Sequence, residues 1–315
     1  MTPKYLVTGG AGFIGSHLVH ALVARGDGVR VLDNLSTGRR ENLAAVLPQI
    51  ELVIGDITDR PTIEAAVRGI DCVFHEAALP SVPRSVRDPL ATDLNNVHGT
   101  LEVLVAARDA KVRRVVQACS SSAYGETPTL PKEEGMKPAP LSPYACSKVA
   151  GELYGCAFYH TYGLEYVGLR YFNVFGPRQD PASQYAAVIP KFVTAYLEGR
   201  PPLVYGDGSQ SRDFAYVDNV VQANLAACTA PEAPGQVLNI ACGERTSLLE
   251  VLELLAGAFG RRLEPRFEAA RAGDVKHSLA DISLARRYLG YEPRVRFAEG
   301  LARTVAWFRE ERARR

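Results

Sequence analysis

Val7-Thr8-Gly9-Gly10-Ala11-Gly12-Phe13-Ile14-Gly15 decides how this chain folds. It follows a short apolar run, Tyr5–Thr8, and opens an amphipathic stretch near residues 13–25. The spacing is GxxGxxG. Gly9 permits a tight turn, Gly12 lets backbone approach a pyrophosphate, and Gly15 lets a helix lie close to its sheet. The pyrophosphate then rests on the positive N-terminus of that helix. A glycine cluster alone is a weak signal; the strand–turn–helix setting makes it a dinucleotide turn.

Further apolar, β-branched runs lie at Val29–Leu32, Glu51–Ile54, Cys72–His75, Arg114–Ala118 and Tyr166–Leu169. Between them are helical patterns near residues 60–68, 88–109 and 144–162. Such alternation predicts a Rossmann-type α/β fold, a doubly wound parallel sheet covered on both faces. The rhythm loosens after Tyr171. Phe175–Tyr185, with Pro177 and Pro181, reads as a loop before a helix around 186–198. Then come a strand at Leu203–Tyr205, a helix near 217–229, a strand at Val237–Ile240, and helices near 247–259 and 297–312. We expect a dinucleotide domain over 1–170 and a smaller C-terminal α/β domain over 171–315. Part of about 213–240 has the option of returning to the first.

The length of 315 residues suits one large or two interlocked domains. With 47% hydrophobic and 23% charged residues the composition is that of a soluble globular protein. A net charge of +1 gives no reason to invoke nucleic acid or a membrane surface. No signal peptide or membrane-spanning run is expected, and the cytoplasm is the expected compartment. Six scattered Cys form no CxxC pair, so they read as reduced thiols rather than a metal site.

Asp33 ends the second strand, 24 residues after Gly9, and can accept hydrogen bonds from an adenosine ribose 2′-hydroxyl. It would repel a 2′-phosphate, and Asn34 rather than Arg follows it, which favours NAD over NADP. Asp56-Ile57 can meet adenine edges, or Asp56 is a plain helix cap. Ala77-Ala78 are small residues where a dinucleotide would cross the sheet edge, or a tight turn.

Tyr144-Ala145-Cys146-Ser147-Lys148 supplies chemistry for such a cofactor. On a helix, Lys148 stands one turn beyond Tyr144, and a cation there favours a phenolate that shuttles a proton. Of fourteen Tyr, this one has a Lys four residues on. Ser120-Ser121-Ser122 follows the fifth strand, at the carboxyl edge where α/β sheets bind ligands.

With TGGAGFIGSHL from Thr8, LDNLSTG from Leu32, SSSAYGE from Ser120, LSPYACSK from Leu141, LRYFNVFGPRQ from Leu169, GDGSQSRDFAYVDN from Gly206 and GDVKHSLADIS from Gly273, the chain resembles the extended short-chain dehydrogenase/reductase family. The likeness is to its nucleotide-sugar epimerases and runs from Tyr5 to about Phe308. One departure is Glu76, where many members carry Leu. The resemblance implies Tyr144 as catalytic base, Lys148 as its partner and nicotinamide-ribose ligand, and Ser120 as the catalytic serine, with Ser121 and Ser122 supporting or competing. Tyr144 also borders the cofactor, and Ser120 and Tyr144 the substrate. It adds Phe13, Ile14, Ser36, Thr37, Gly38, Asn96 and Tyr171 to Gly9, Gly12, Gly15, Asp33, Asn34, Asp56, Ile57, Ala77 and Ala78 around NAD. For a UDP-sugar it implies Ser81, Arg84, Asn173, Ala187, Val188, Tyr205, Arg212, Arg271, Asp274 and Ser278.

The implied reaction is inversion at C4 through a transient 4-ketone. The 4,6-dehydratases of the family carry an Asp-Glu pair where this chain has Ser121 and Ser122. The constellation looks most like epimerases of UDP-N-acetylglucosamine, and a small Ser278 leaves room for an acetamido group. UDP-glucose and UDP-galactose are the expected poorer substrates; uronate epimerisation, dehydration, net oxidation and a non-catalytic NAD sensor are the alternatives. The resemblance also implies a homodimer, since the helices near 88–109 and 144–162 form the dimer bundle in many relatives; a buried face within the chain explains their apolar stripes equally well.

Overall fold

The computed structural model describes residues 3–181, 187–269 and 276–314. The first half runs β1 (Lys4–Thr8), α1 (Phe13–Ala24), β2 (Gly28–Asp33), β3 (Ile50–Ile54), α2 (Arg60–Ala66), β4 (Cys72–His75), α3 (Val82–Arg87) and α4 (Pro89–Asp93). It continues with α5 (Gly99–Asp109), β5 (Arg114–Ser120), α6 (Pro143–Tyr162) and β6 (Glu165–Tyr171). The second half has β7 (Val174–Phe175), α7 (Val188–Glu198), β8 (Leu203–Tyr205), β9 (Ser211–Arg212), β10 (Ala215–Tyr216) and α8 (Val217–Thr229). After these come β11 (Val237–Ile240), β12 (Thr246–Ser247), α9 (Leu248–Phe259), β13 (Arg266–Glu268), α10 (Ser283–Leu289) and α11 (Phe297–Arg314).

One seven-stranded sheet, ordered β11-β6-β5-β4-β1-β2-β3, is parallel throughout. Its central strands are apolar because both faces are covered: every residue of β4 is buried, and all of β5 up to Cys119. α1 and α8 cover one face, with Leu18, Leu22, Val220 and Ala223 against Val116 and Leu169. α2, α5 and α6 cover the other, with Ile63, Val103, Leu104 and Phe158 against Val115 and Tyr166. A third core lies outside the sheet, where Phe192 and Tyr196 of α7, Val251 and Leu255 of α9 and Leu301 and Phe308 of α11 meet Phe175 and Phe214. Val237–Ile240 pairs with β6 as the seventh strand.

Two local features depart from the periodicity. The stretch 88–109 is α4, then a π-turn over Leu94–His98, then α5. The extra residue in the turn re-aims the side chains that follow, a device common at functional sites. In addition, Ser81 caps α3, with Pro83 in its first turn. Among the described residues no helix is long and apolar enough to cross a membrane.

Candidate active site

The carboxyl ends of β1, β2, β4, β5 and β6 line one edge of the sheet and carry Gly9, Asp33, Glu76, Ser120 and Tyr171 there. Gly9 has φ +70°, and a Cβ on it would lie 2.7 Å from the amide nitrogen of Ala77. A Cβ on Gly15 would overlap the carbonyl oxygen of Gly9. The turn thus admits only glycine at both positions. α1 starts at Gly12 without a side-chain cap, so its first amides, Phe13 and Ile14 among them, keep the anion-binding capacity of a helix N-terminus. Asp33 is buried; its carboxylate accepts from the amides of Ala11 (2.9 Å) and Leu35 (2.8 Å). It therefore braces the glycine turn as well as facing the cleft. Burial pushes this carboxyl above its usual range, and the two amides oppose that.

Gly38 leaves room beside Asp33, whose Oδ1 would stand 2.8 Å from an added Cβ. Ser36 and Thr37 precede it in the same loop, and the Ser36 amide donates to Asn34 Oδ1. Asn34 in turn donates to Asp56 at 2.7 Å, while Asp56 also accepts from the Thr58 amide and hydroxyl. Ile57 is buried, packed where a Cβ on Gly99 would intrude. Across the cleft, Ala77 and Ala78 follow β4. Asn96, on the π-turn, accepts from the Leu79 amide (2.8 Å) and donates to Ser147 (3.0 Å), tying this edge to α6.

Ser142 caps α6 through the Ala145 amide, with Pro143 in the first turn, and Tyr144 follows. The Tyr144 amide donates to the buried Ser85 hydroxyl at 3.0 Å, a positioning contact that spacing alone did not reveal. Ser120, at the carboxyl end of β5, opposes the rise that burial gives the Tyr144 phenol. Ser122 donates to Ser120 Oγ at 2.8 Å from its hydroxyl and at 3.2 Å from its amide. Ser121 opens the single turn that carries Ser122. Lys148 is buried and donates to the Ala118 carbonyl at 2.8 Å. That differs from the lowered tyrosine pKa the i, i+4 spacing predicts. Burial dominates, pushing the phenol above its ordinary value while Ser120 opposes, and burial pushes the Lys148 ammonium down.

On the second lobe, Asn173 adopts φ +33° and donates to the Asp213 carbonyl at 3.0 Å. Arg212, on β9, donates to the Ser211 and Lys276 carbonyls at 3.0 Å each, and the Ser278 amide donates to Ser211. Arg212 and Ser278 therefore share one corner. Ala187 and Val188 open α7, and Tyr205 ends β8. Ser81 Oγ is occupied by the Arg84 amide at 3.1 Å, with the Arg84 side chain half-buried above α3. Arg271 and Asp274 lie outside the described residues.

A family model described as "NAD dependent epimerase/dehydratase family" matches residues 5–241. The chain belongs to that family. Its cofactor is NAD, and the uncapped α1, the glycine cradle and Asp33 fit a dinucleotide. Over 98% of this chain and 99% of the relative, it is 44% identical to a UDP-glucose 4-epimerase of Mycolicibacterium smegmatis. The solved UDP-N-acetylglucosamine 4-epimerase from Methanobrevibacter ruminantium, in complex with UDP-N-acetylmuramic acid, superposes with a TM-score of 0.94 at 41% identity, covering 99% of this chain and all of that one. A Thermus thermophilus UDP-glucose 4-epimerase complex with NAD gives 0.89 at 40% identity, covering 97% and 99%.

Two further side chains bridge elements around the site. Glu76 accepts from the Tyr171 hydroxyl at 2.7 Å. Arg178, at φ +65°, reaches Ser16 of α1 at 3.4 Å. Neither has a local sequence signal, since each meets its partner across 95 and 162 residues respectively.

Proposed function

We propose that this enzyme inverts C4 of a UDP-hexose, with the N-acetylated UDP-hexosamines as its preferred pair. The observation that carries the reading is the Lys148–Ala118 hydrogen bond, which docks the start of α6, Tyr144 with it, on the β5 end that carries Ser120. NAD, when bound, supplies the hydride acceptor and donor for a transient oxidation at C4. Ser120 holds the 4-hydroxyl, and Tyr144 takes its proton and later returns it to the opposite epimer, so nothing is consumed. Tyr144 acts as base only as the phenolate: it first gives its own proton to solvent, and the Lys148 cation one helical turn away offsets the cost of that loss.

Asn173 and Arg212 would hold the diphosphate, joined by Arg271 and Asp274 as the resemblance implies; Ala187, Val188 and Tyr205 would flank the uridine. Ser81 and Arg84 would face the sugar. Dehydration is disfavoured because Ser121 and Ser122 supply neither the acid nor the base that water loss needs. We read residues 1–170 as the cofactor domain and 171–315 as the substrate domain, with α8 and β11 returning to the sheet, and the assembly as a homodimer.

The substrate reading rests on Ser278, a small side chain beside Arg212. Comparing kcat/KM for UDP-N-acetylglucosamine and UDP-galactose tests it. Preference for the acetylated sugar is expected, together with selective loss of that activity in Ser278→Tyr; a clear preference for UDP-galactose overturns it.

A further inference from the structure

Glu76 has no role in the chemistry above, yet it lies at its centre. β4 and β5 pair His75 with Gln117, so the next residues, Glu76 and Ala118, stand level at the sheet edge. Ala118 is the residue whose carbonyl takes the Lys148 ammonium. From the other side Tyr171 donates to Glu76 Oε1 at 2.7 Å, and the direction of that bond is fixed. Asn224 Nδ2 donates to the Val220 carbonyl at 2.9 Å, which can only accept, and to the Tyr171 oxygen at 2.7 Å. The single Tyr171 proton is left to point at Glu76. A donor on β6, oriented from α8, thus meets a carboxyl level with the carbonyl that takes the lysine.

We propose that Glu76 is a positioning residue, the carboxylate counter-charge that holds Lys148 as an ammonium beside Tyr144. The proposal rests on the reading of Tyr144 as proton shuttle. The groups that act on Glu76 are Tyr171 from β6 and Lys148 from α6. Beyond them Cys119 of β5 and Tyr144 of α6 lie near Tyr171 and Lys148, the neutral Asn224 of α8 backs Tyr171, and His75 precedes Glu76 on its strand. Burial pushes the Cys119 thiol up to about 12, lifts the Tyr171 phenol well above its usual value, and drops His75 to about 3. Those three are neutral at pH 7, and Tyr144 is raised as well. Glu76 and Lys148 are left to carry charge. Burial lowers the Lys148 pKa, while Cys119 and Glu76 oppose it. Burial raises Glu76 to about 7, against the Tyr171 hydrogen bond and the Lys148 charge. Above that pH the carboxylate supports the ammonium; below it Lys148 stands without a counter-charge.

Glu76→Gln keeps the shape and the acceptor for Tyr171 but removes the charge. The pH dependence of kcat from pH 5.5 to 10 should show an ionisation near 7 in the wild type that vanishes in the variant. The variant's alkaline limb, where Lys148 deprotonates, should move down by about one pH unit, a roughly tenfold loss of proton affinity. Glu76→Asp should restore the wild-type limb in part. Bound NAD, read from nucleotide released on denaturation, should stay at the wild-type level in both. Glu76→Leu, measured the same way, should show the same alkaline shift and guards against a folding defect peculiar to Gln. Profiles that superpose after scaling in Gln and Leu variants overturn the proposal. A wild type whose Tyr144→Phe variant remains active instead overturns the reading of Tyr144, which separates the two failures.

Discussion

The Tyr144 hydroxyl can be removed without disturbing what places it. Its amide stays on Ser85 and its helix stays capped by Ser142, because neither contact involves the phenol. Tyr144→Phe is therefore expected to keep NAD content, UDP-sugar binding and thermal stability close to wild type. Turnover should fall by about 10²–10⁴-fold, the usual worth of a positioned acid–base group. Steady-state kinetics and titration of the nucleotide measure the two halves, and full activity in the variant removes the assignment. The spacing Tyr144–Lys148 was readable because one helical turn is a local rule. Where the Lys148 ammonium goes was not, because its acceptor Ala118 belongs to a strand thirty residues earlier. Burial is likewise a tertiary property, and it reverses the pKa direction that the Tyr–Lys pair alone implies.

At the level of elements, the join between β1 and α1 is set by glycines whose missing Cβ atoms are filled by backbone. In Gly15→Ala the new methyl must displace the Gly9 carbonyl, and with it the first turn of α1. Overpacking of this kind costs about 1–3 kcal/mol and moves the amides that would cradle the pyrophosphate. The variant should purify with little NAD and melt several degrees lower, checked by nucleotide content and thermal denaturation. An unchanged NAD content would mean that the α1 terminus does not hold the cofactor. The sheet strands were legible because covering both faces makes each an unbroken apolar run, as in Cys72–His75. The two-residue pairings β7 with β10 and β9 with β12 are too short to carry a period. The π-turn at Leu94–His98 was hidden inside an apolar stripe that looks helical throughout. Asn96 sits on that turn, so its bonds to Leu79 and Ser147 followed from the backbone change rather than from its neighbours.

Across the whole molecule, apolar side chains gather on one surface away from the cleft. Leu90 is 81% exposed on α4, Leu153 is 60% exposed on α6, and Val86 and Leu94 are more than half exposed beside them. Between α4 and α6 lies a cavity of about 390 Å³, lined by Pro89, Leu90, Val97, Pro143, Cys146 and Ala150 among others. An apolar face of this kind is what an interaction surface presents. Because α4 and α6 lie side by side there, a second copy seated on this face would make a four-helix contact of the sort that closes a twofold dimer. Light scattering should give a mass near twice 34.2 kDa for the wild type, and Leu90→Glu combined with Leu153→Glu should give the monomer. α6 also carries Tyr144 and Lys148, so the monomer is expected to lose turnover several-fold while it keeps its NAD. A wild type that runs as a 34.2 kDa species at every concentration overturns the dimer, and the exposed face would then need a different occupant.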